Sequence, residues 1–180
     1  MQSLGYADPR VVEASIIAKS AETGHKVDIH QDGCSLFTNP SSGIVFWYAL
    51  EDTTVENGCL EVAPGTHRAE PLKCRAIVGE CGRVKFIDVD TSVPANVESD
   101  APMPVRGSDG EYLFKKLEVK AGTLVMMHGN TLHTSAANKS SKNRLALKFS
   151  VVEGSLEWLE DAYLKPTGDT DGFEKLVALY

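Results

Sequence analysis

The sequence has no long hydrophobic run, since no stretch of its 180 residues approaches the length of an apolar membrane span. The N-terminus lacks a basic region followed by an apolar segment, so we recognise no secretory signal peptide. The last three residues, Ala178, Leu179 and Tyr180, do not form a peroxisomal address. These absences favour a cytoplasmic protein that does not act at a membrane.

Cysteine is scarce and is not arranged for metal binding. The four residues are Cys34, Cys59, Cys74 and Cys81, with no C-x-x-C pair and no spacing of a zinc ribbon or finger. In a chain without an export signal we expect reduced thiols. Cys34, two residues after Asp32, has two interpretations. A small buried side chain is the favoured one, and a thiol open to oxidation by chemistry at a nearby metal is the other.

Positive charge is also in short supply. The chain has 18 Lys and Arg against 25 Asp and Glu, a net charge of -7, and no run of five like charges. This balance argues against nucleic acid or an anionic membrane as the main partner. No basic cluster indicates a site for the phosphates of coenzyme A. We expect a small-molecule substrate instead. At 42% hydrophobic residues, 1–180 can build one core and therefore a single domain.

Short apolar or alternating segments recur at intervals of roughly ten residues. Apart from one predicted strand at 84–89, residues 69–111 are predicted to form a long loop of the kind that forms a lid or a substrate wall. Two short helices are predicted at the end, over 156–164 and 172–179. The pattern indicates an all-β sandwich or barrel with short C-terminal helices. The predicted strands are 11–18, 26–32, 44–50, 59–63, 84–89, 113–119, 123–127, 131–136 and 144–152.

The motif His30-Gln31-Asp32 ends one of these strands. Side chains two positions apart on a strand project from the same face, so His30 and Asp32 can reach one ion. A second imidazole would complete a two-His, one-carboxylate site that leaves three positions of an octahedral iron open. Both His128 and His133 are candidates for that third ligand. H-x-D alone is a weak signal, and its weight depends on residues further along the chain.

Three downstream residues strengthen this interpretation. Arg144 begins a strand on which Arg144, Ala146, Lys148 and Ser150 share one face, and an inward guanidinium needs an anion such as a carboxylate. Ser135 can supply a hydroxyl to the same anion, and Trp47 can form a flat wall. Each has an ordinary alternative: Trp47 in the core, Ser135 in a turn, Arg144 on the surface. Their joint order after H-x-D favours a site.

Three segments resemble the phytanoyl-CoA dioxygenase family of iron(II)/2-oxoglutarate oxygenases, and within it the domain-containing protein 1 group. They are HQDGCSLFTNP, FWYALEDTTVENGCLEVAPGTHR and AGTLVMMHGNTLHTSAANKSSKNRLALKFSVVEG. The resemblance covers nearly the whole chain. It implies a double-stranded β-helix, a jelly-roll that holds the metal in one mouth. It also implies Fe(II) and 2-oxoglutarate as cofactors and O2 as a reactant.

The resemblance assigns roles to individual residues. His30, Asp32 and His133 would bind iron, with His133 favoured over His128 because its spacing to Arg144 fits the family better. A carboxylate ligand at Asp32 favours hydroxylation over halogenation. His67 is expected to brace its loop, and His25 to be a solvated turn residue. The residues implied to bind 2-oxoglutarate are Trp47, Ser135, Arg144 and Gln31.

One departure concerns the N-terminus. Family members usually begin with a longer helical region, which this chain lacks, and a co-substrate contact from an upstream Lys has no counterpart unless Lys19 replaces it. The sheet surface left uncovered would favour instability or the formation of oligomers. That the chain is a fragment or a variant of a longer protein is a further alternative. Three functions therefore compete. They are a dioxygenase that hydroxylates a small molecule and releases succinate and CO2, an inactive jelly-roll relative that binds metal or 2-oxoglutarate, and a cupin-like protein in which Arg144 has no special role.

Overall fold

The computed structural model describes residues 1–90, 103–166 and 172–176. Within these ranges the regular secondary structure is almost entirely β. Single-turn 3-10 helices lie at Gln2–Leu4, Asp32–Cys34, Thr66–Arg68 and Glu80–Gly82. The strands are β1 (Pro9–Lys19), β2 (Val27–His30), β3 (Ile44–Ala49), β4 (Leu60–Val62), β5 (Cys74–Val78), β6 (Val84–Asp88), β7 (Lys115–Leu117), β8 (Leu124–His128), β9 (His133–Ser135), β10 (Arg144–Glu153) and β11 (Glu174–Lys175).

Two antiparallel sheets form a sandwich. One has the strand order β11-β1-β10-β3-β8 and the other the order β2-β9-β4-β7, while β5 and β6 form a separate hairpin. From β1 to β4 and again from β7 to β10, the chain passes from one sheet to the other in the jelly-roll manner. The predicted all-β double-stranded β-helix is confirmed. No helix among the described residues is long and apolar enough to cross a membrane.

Alternation along the central strands fills the space between the sheets. On β3, Val45, Trp47 and Ala49 are buried, as their period of two requires. Ala146 of β10 is also buried and belongs to the same apolar cluster as Trp47 and Ala49. The inward face of β10 is its polar one, since Arg144 is buried on the same side as Ala146. The apolar core therefore lies beside a buried charged side chain, that of Arg144.

The C-terminal part of the sequence prediction is wrong. Residues 156–164 form turns and not a helix, because Ala162 bridges Ile77 of β5 and the indole of Trp158 packs edge-on against Phe173. In the second predicted helix, Glu174–Lys175 instead forms β11 by pairing with β1. Positions 177–179 lie outside the described residues. Contacts with the sheets override local helix propensity here.

The predicted long loop over 69–111 also contains more structure than expected. The strand at 84–89 is confirmed as β6 (Val84–Asp88), but its partner β5 (Cys74–Val78) was not predicted. β5 is stabilised by its pairing with β6 and by Arg75, which forms a salt bridge with Asp161 at 2.7 Å. Residues 91–102 lie outside the described ranges.

Candidate metal centre

Two histidines and one aspartate converge where β2 pairs with β9. His30 and His133 are register partners, with ring centroids 4.1 Å apart. Asp32 opens the turn after β2, and its carboxylate oxygens lie 3.7 Å from Nε2 of His30 and 3.5 Å from Nε2 of His133. All the candidate ligand atoms lie within 4.8 Å of one another. The group is compact enough to hold one ion.

The backbone fixes the tautomer of both imidazoles. Nδ1 of His30 lies 2.7 Å from the carbonyl oxygen of Asp28, and Nδ1 of His133 lies 2.9 Å from that of Thr131. A carbonyl oxygen can only accept, so Nδ1 carries the hydrogen and donates it in each ring. Nε2 then presents its lone pair toward Asp32. Metal-binding histidines are held by this kind of hydrogen bond.

The charge states of the group also suit a cation. Burial alone would raise the pKa of Asp32, but the positive charge of Lys148 and its hydrogen bond to the carboxylate act in the opposite direction, and the pKa lies below its usual range. Burial lowers the pKa of His133. At neutral pH the site thus offers an ionised carboxylate and a neutral imidazole, the forms that ligate metals. Two imidazoles and one carboxylate are the donor set typical of non-haem iron(II).

A cavity of about 80 Å³ extends from the histidines to Arg144. Arg144 is 2% exposed, and its Nη2 donates to the carbonyl of Gly58 at 2.7 Å. Its Nε and Nη1 are buried and have no hydrogen-bond partner among the residues that the structure describes. The guanidinium lies 5.5 Å from the ring centre of Trp47. Unpaired buried donors on a planar cation match the carboxylate of a bound anion.

Lys148 is a charged neighbour of the site that was not predicted to take part. Its Nζ lies 3.1 Å from Oδ1 of Asp32 and 2.8 Å from Oε1 of Glu13. Burial would lower the pKa of Lys148, but these two carboxylates raise it above its usual value. The sequence contained the signal, because Lys148 shares the inward face of its strand with Arg144.

The remaining candidates fall into two groups. Ser135 is buried on β9 and lines the same cavity as Arg144. Gln31 points elsewhere, and its amide donates to the carbonyl of Asn130 at 2.8 Å. Lys19 is buried, but its Nζ donates to the carbonyls of His25 and Ala136 at 2.5 and 2.6 Å. Neither Gln31 nor Lys19 lines the cavity. Both side chains donate hydrogen bonds to backbone carbonyls instead.

The rival ligand His128 lies in a different environment. Its ring stacks on that of His67 with centroids 5.3 Å apart, and its Nδ1 accepts a hydrogen bond from the backbone N–H of Asn130 at 3.0 Å. Burial lowers the pKa of His128 to about 4. Both rings line a second cavity of about 350 Å³, and Met127 lines both this cavity and the first. The geometry brings His133, and not His128, beside His30 and Asp32.

Relatives of this chain come from plants and animals. A phytanoyl-CoA dioxygenase from Arabidopsis thaliana is 36% identical over 164 residues, which is 91% of this chain and 52% of that protein. Phytanoyl-CoA dioxygenase domain-containing protein 1 from Bos taurus is 34% identical over 170 residues, 92% of this chain and 53% of that protein. The chain thus spans about half the length of the curated relatives it matches.

Solved structures share the fold. The non-haem alpha-ketoglutarate-dependent carbocyclase SnoK has a TM-score of 0.60 at 21% identity, and the match covers 96% of this chain and 62% of that one. The epimerase SnoN in complex with Fe3+, alpha-ketoglutarate and nogalamycin RO has a TM-score of 0.61 at 18% identity, with the same coverage. The family model of phytanoyl-CoA dioxygenase (PhyH) matches residues 2–146. The chain belongs to the phytanoyl-CoA dioxygenase family.

Proposed function

We propose that this chain is an iron(II)/2-oxoglutarate-dependent dioxygenase that hydroxylates a small organic molecule and releases succinate and CO2. One observation carries the proposal. A single cavity holds a His-Asp-His group and, beside it, a buried arginine with two unpaired donors. The names of the relatives and the 2-oxoglutarate-dependent structural neighbours support the same chemistry.

His30, Asp32 and His133 would hold the iron. Asp28 and Thr131 keep the two rings oriented, because their carbonyls accept the Nδ1 hydrogens and leave Nε2 free. When bound, iron(II) and 2-oxoglutarate activate O2, one oxygen atom entering succinate as CO2 leaves and the other entering a C–H bond of the substrate.

Arg144 would bind the far carboxylate of 2-oxoglutarate. Its Nε and Nη1 are the free donors, and Nη2 is held by Gly58, so the guanidinium is anchored before an anion arrives. Trp47 and Ser135 line the space beside it. The buried indole excludes water and strengthens the charge-assisted hydrogen bonds there, while the Ser135 hydroxyl is available to the same carboxylate.

Replacement of Asp32 tests the proposal. We expect Asp32→Ala to bind iron(II) weakly and to release no succinate, because a three-residue site loses its only anionic ligand. The assay measures succinate from the purified, iron-loaded protein supplied with 2-oxoglutarate and a metabolite extract. Asp28→Ala is the matched control, since this carboxylate is 90% exposed and only its backbone holds His30. Unchanged succinate release from Asp32→Ala would refute the assignment.

A second candidate function is a jelly-roll that binds metal or 2-oxoglutarate without turnover. The contact that favours it is the ion pair between Lys148 and Asp32, because an ammonium group competes with a metal cation for the carboxylate. Titration with iron(II) and 2-oxoglutarate, combined with a measurement of O2 consumption, separates the two functions. Binding accompanied by O2 uptake supports the dioxygenase, and saturable binding with no uptake across the extract supports the silent relative.

A further inference from the structure

Two of the four cysteines meet next to the candidate metal centre. Cys34 ends the turn that Asp32 begins, and Cys74 is the first residue of β5. Their Sγ atoms are 3.2 Å apart, with the thiol of Cys74 donating to the sulfur of Cys34. Both side chains are half-buried, so small reactants can reach them. Neither thiol has a part in the proposed oxygenase chemistry.

The backbone around Cys34 is held in place by close packing. The N–H of Gly33 donates to the carbonyl of Gly129 at 2.8 Å. A Cβ at Gly33 would lie 2.3 Å from Oδ1 of Asn130 and 3.1 Å from the side chain of Leu72, so only glycine fits there. Leu72 is itself buried and lies two residues before Cys74. The contact between the sulfurs thus belongs to a packed junction.

The backbone around Cys74, in the hairpin β5–β6, is also fixed by close contacts. Cys74 pairs with Asp88 of β6, and the next residue, Arg75, forms two hydrogen bonds of 2.7 Å with the carboxylate of Asp161. A disulfide has a sulfur–sulfur bond of about 2.05 Å, so the two atoms need to approach by roughly 1 Å. Rotation of two short side chains can supply a shift of this size.

We propose that Cys34 and Cys74 form a reversible intramolecular disulfide when the protein meets a peroxide. The thiolate of Cys74 attacks a peroxide oxygen, since burial raises the pKa of the Cys34 thiol, and the O–O bond breaks, which gives a sulfenic acid at Cys74 and, after protonation, water. The second sulfur attacks that sulfenic sulfur, the S–S bond forms, and the hydroxyl leaves as water with the remaining proton. Two thiols are oxidised and one hydrogen peroxide is reduced to two waters.

The bond would tie the turn that carries Asp32 to the hairpin β5–β6 across 40 positions of the chain. It thereby restrains a metal ligand through the backbone, two residues away, without replacing any side chain of the site. A thiol reductant would restore the starting state. The proposal does not depend on the oxygenase function, because the oxidant is supplied from outside and no iron is required.

Peptide mapping of the metal-free chain tests this directly. The protein is treated with stoichiometric hydrogen peroxide, its remaining thiols are alkylated, and the digest is analysed by mass spectrometry. We expect one linked peptide pair that contains Cys34 and Cys74 and is lighter by two hydrogen atoms, and dithiothreitol should abolish it. The variant Cys59→Ser/Cys81→Ser should give the same pair, because Cys59 is buried and Cys81 is exposed at the turn between β5 and β6.

Cys74→Ser is the negative control and should leave Cys34 free to be alkylated after the same treatment. The wild-type map does not depend on how well any variant folds. Sulfinic or sulfonic acid at Cys34 or Cys74 in place of the linked pair would overturn the proposal. So would a link from either residue to Cys59 or Cys81, or recovery of both thiols in the reduced state.

Discussion

At the scale of single residues, buried charge is the feature that shapes the candidate site. Arg144, Lys148 and Asp32 all lie inside the sandwich, where an isolated charge is costly unless it is paired. Lys148 is satisfied by Asp32 and Glu13, whereas Arg144 keeps two free donors. Lys148 thus already has its partners, whereas Nε and Nη1 of Arg144 are open to the anion that we propose it binds.

The ion pair of Lys148 leads to a prediction about metal affinity. Removing the ammonium frees Oδ1 of Asp32 and takes away a repelling charge, so Lys148→Met should bind Mn(II), a redox-inert substitute for iron(II), more tightly. Glu13→Gln is added in the same chain, because removal of Lys148 alone would leave the half-buried Glu13 carboxylate without its ion-pair partner. We expect affinity to rise about tenfold, which corresponds to ~1.4 kcal/mol.

Calorimetric titration with Mn(II) gives the comparison, and Lys85→Met on an exposed position of β6 serves as the control. Equal or weaker Mn(II) binding by the Glu13→Gln/Lys148→Met variant would show that Lys148 supports the metal ligands and does not compete with the ion.

Most of the residues expected at the site do lie there, and the exceptions have a physical reason. The H-x-D motif, the face of β10 and the family spacing together indicated His30, Asp32, His133 and Arg144, which share one cavity with Trp47 and Ser135. The sequence could not show that Gln31 and Lys19 lie outside the cavity. Their side chains donate to backbone carbonyls that come close to them only in the folded chain.

At the scale of elements, the C-terminal end of β8 makes the free energy of unfolding depend on pH, through His128. The pKa of His128 in the folded chain is about 4, below the ordinary value of about 6.5. Between these values the unfolded chain binds a proton that the folded chain excludes. The free energy of unfolding therefore falls as pH drops from ~6.5 to ~4, by about 3 kcal/mol from this residue.

Denaturant unfolding across this pH range measures the effect. His128→Asn should flatten the pH dependence, because the amide oxygen can still accept from the N–H of Asn130 but does not titrate. His25→Asn should change nothing, since that ring is exposed. The same slope in the wild type and in His128→Asn would contradict the assignment.

Elements with strong local patterns were predictable, and those that depend on distant partners were not. The alternation of β10 and the apolar run of β3 gave both strands directly from the sequence. β5 was missed and residues 156–164 were misassigned, because the backbone of Val78, Tyr163 and their neighbours is satisfied by hydrogen bonds between the two segments. Such pairing leaves no periodic signal in either segment.

At the scale of the whole molecule, the outer face of the larger sheet remains apolar. Ile16 is 57% exposed, Met126 is 51% exposed, and the rings of Phe46 and Phe149 stack between them at 4.6 Å. Contiguous apolar surface of this kind favours association. Self-association of the chain stays a prediction that this face supports.

Light scattering coupled to size-exclusion chromatography checks it. We expect the wild type to form larger species as its concentration rises, and Ile16→Lys/Met126→Lys to stay monomeric with unchanged metal binding. Phe86→Lys, on the exposed surface of β6, should behave as the wild type does. A wild-type monomer at every concentration would contradict this prediction.

The most direct measurement of the central claim is an anaerobic calorimetric titration of 2-oxoglutarate into the iron(II)-loaded chain. We expect binding that requires the metal and that is weakened about 100-fold in Arg144→Met, equivalent to ~3 kcal/mol from lost charge-assisted hydrogen bonds. Arg83→Met, at an exposed position, should bind as the wild type does. Equal 2-oxoglutarate affinity with and without metal, or in Arg144→Met and the wild type, would contradict it.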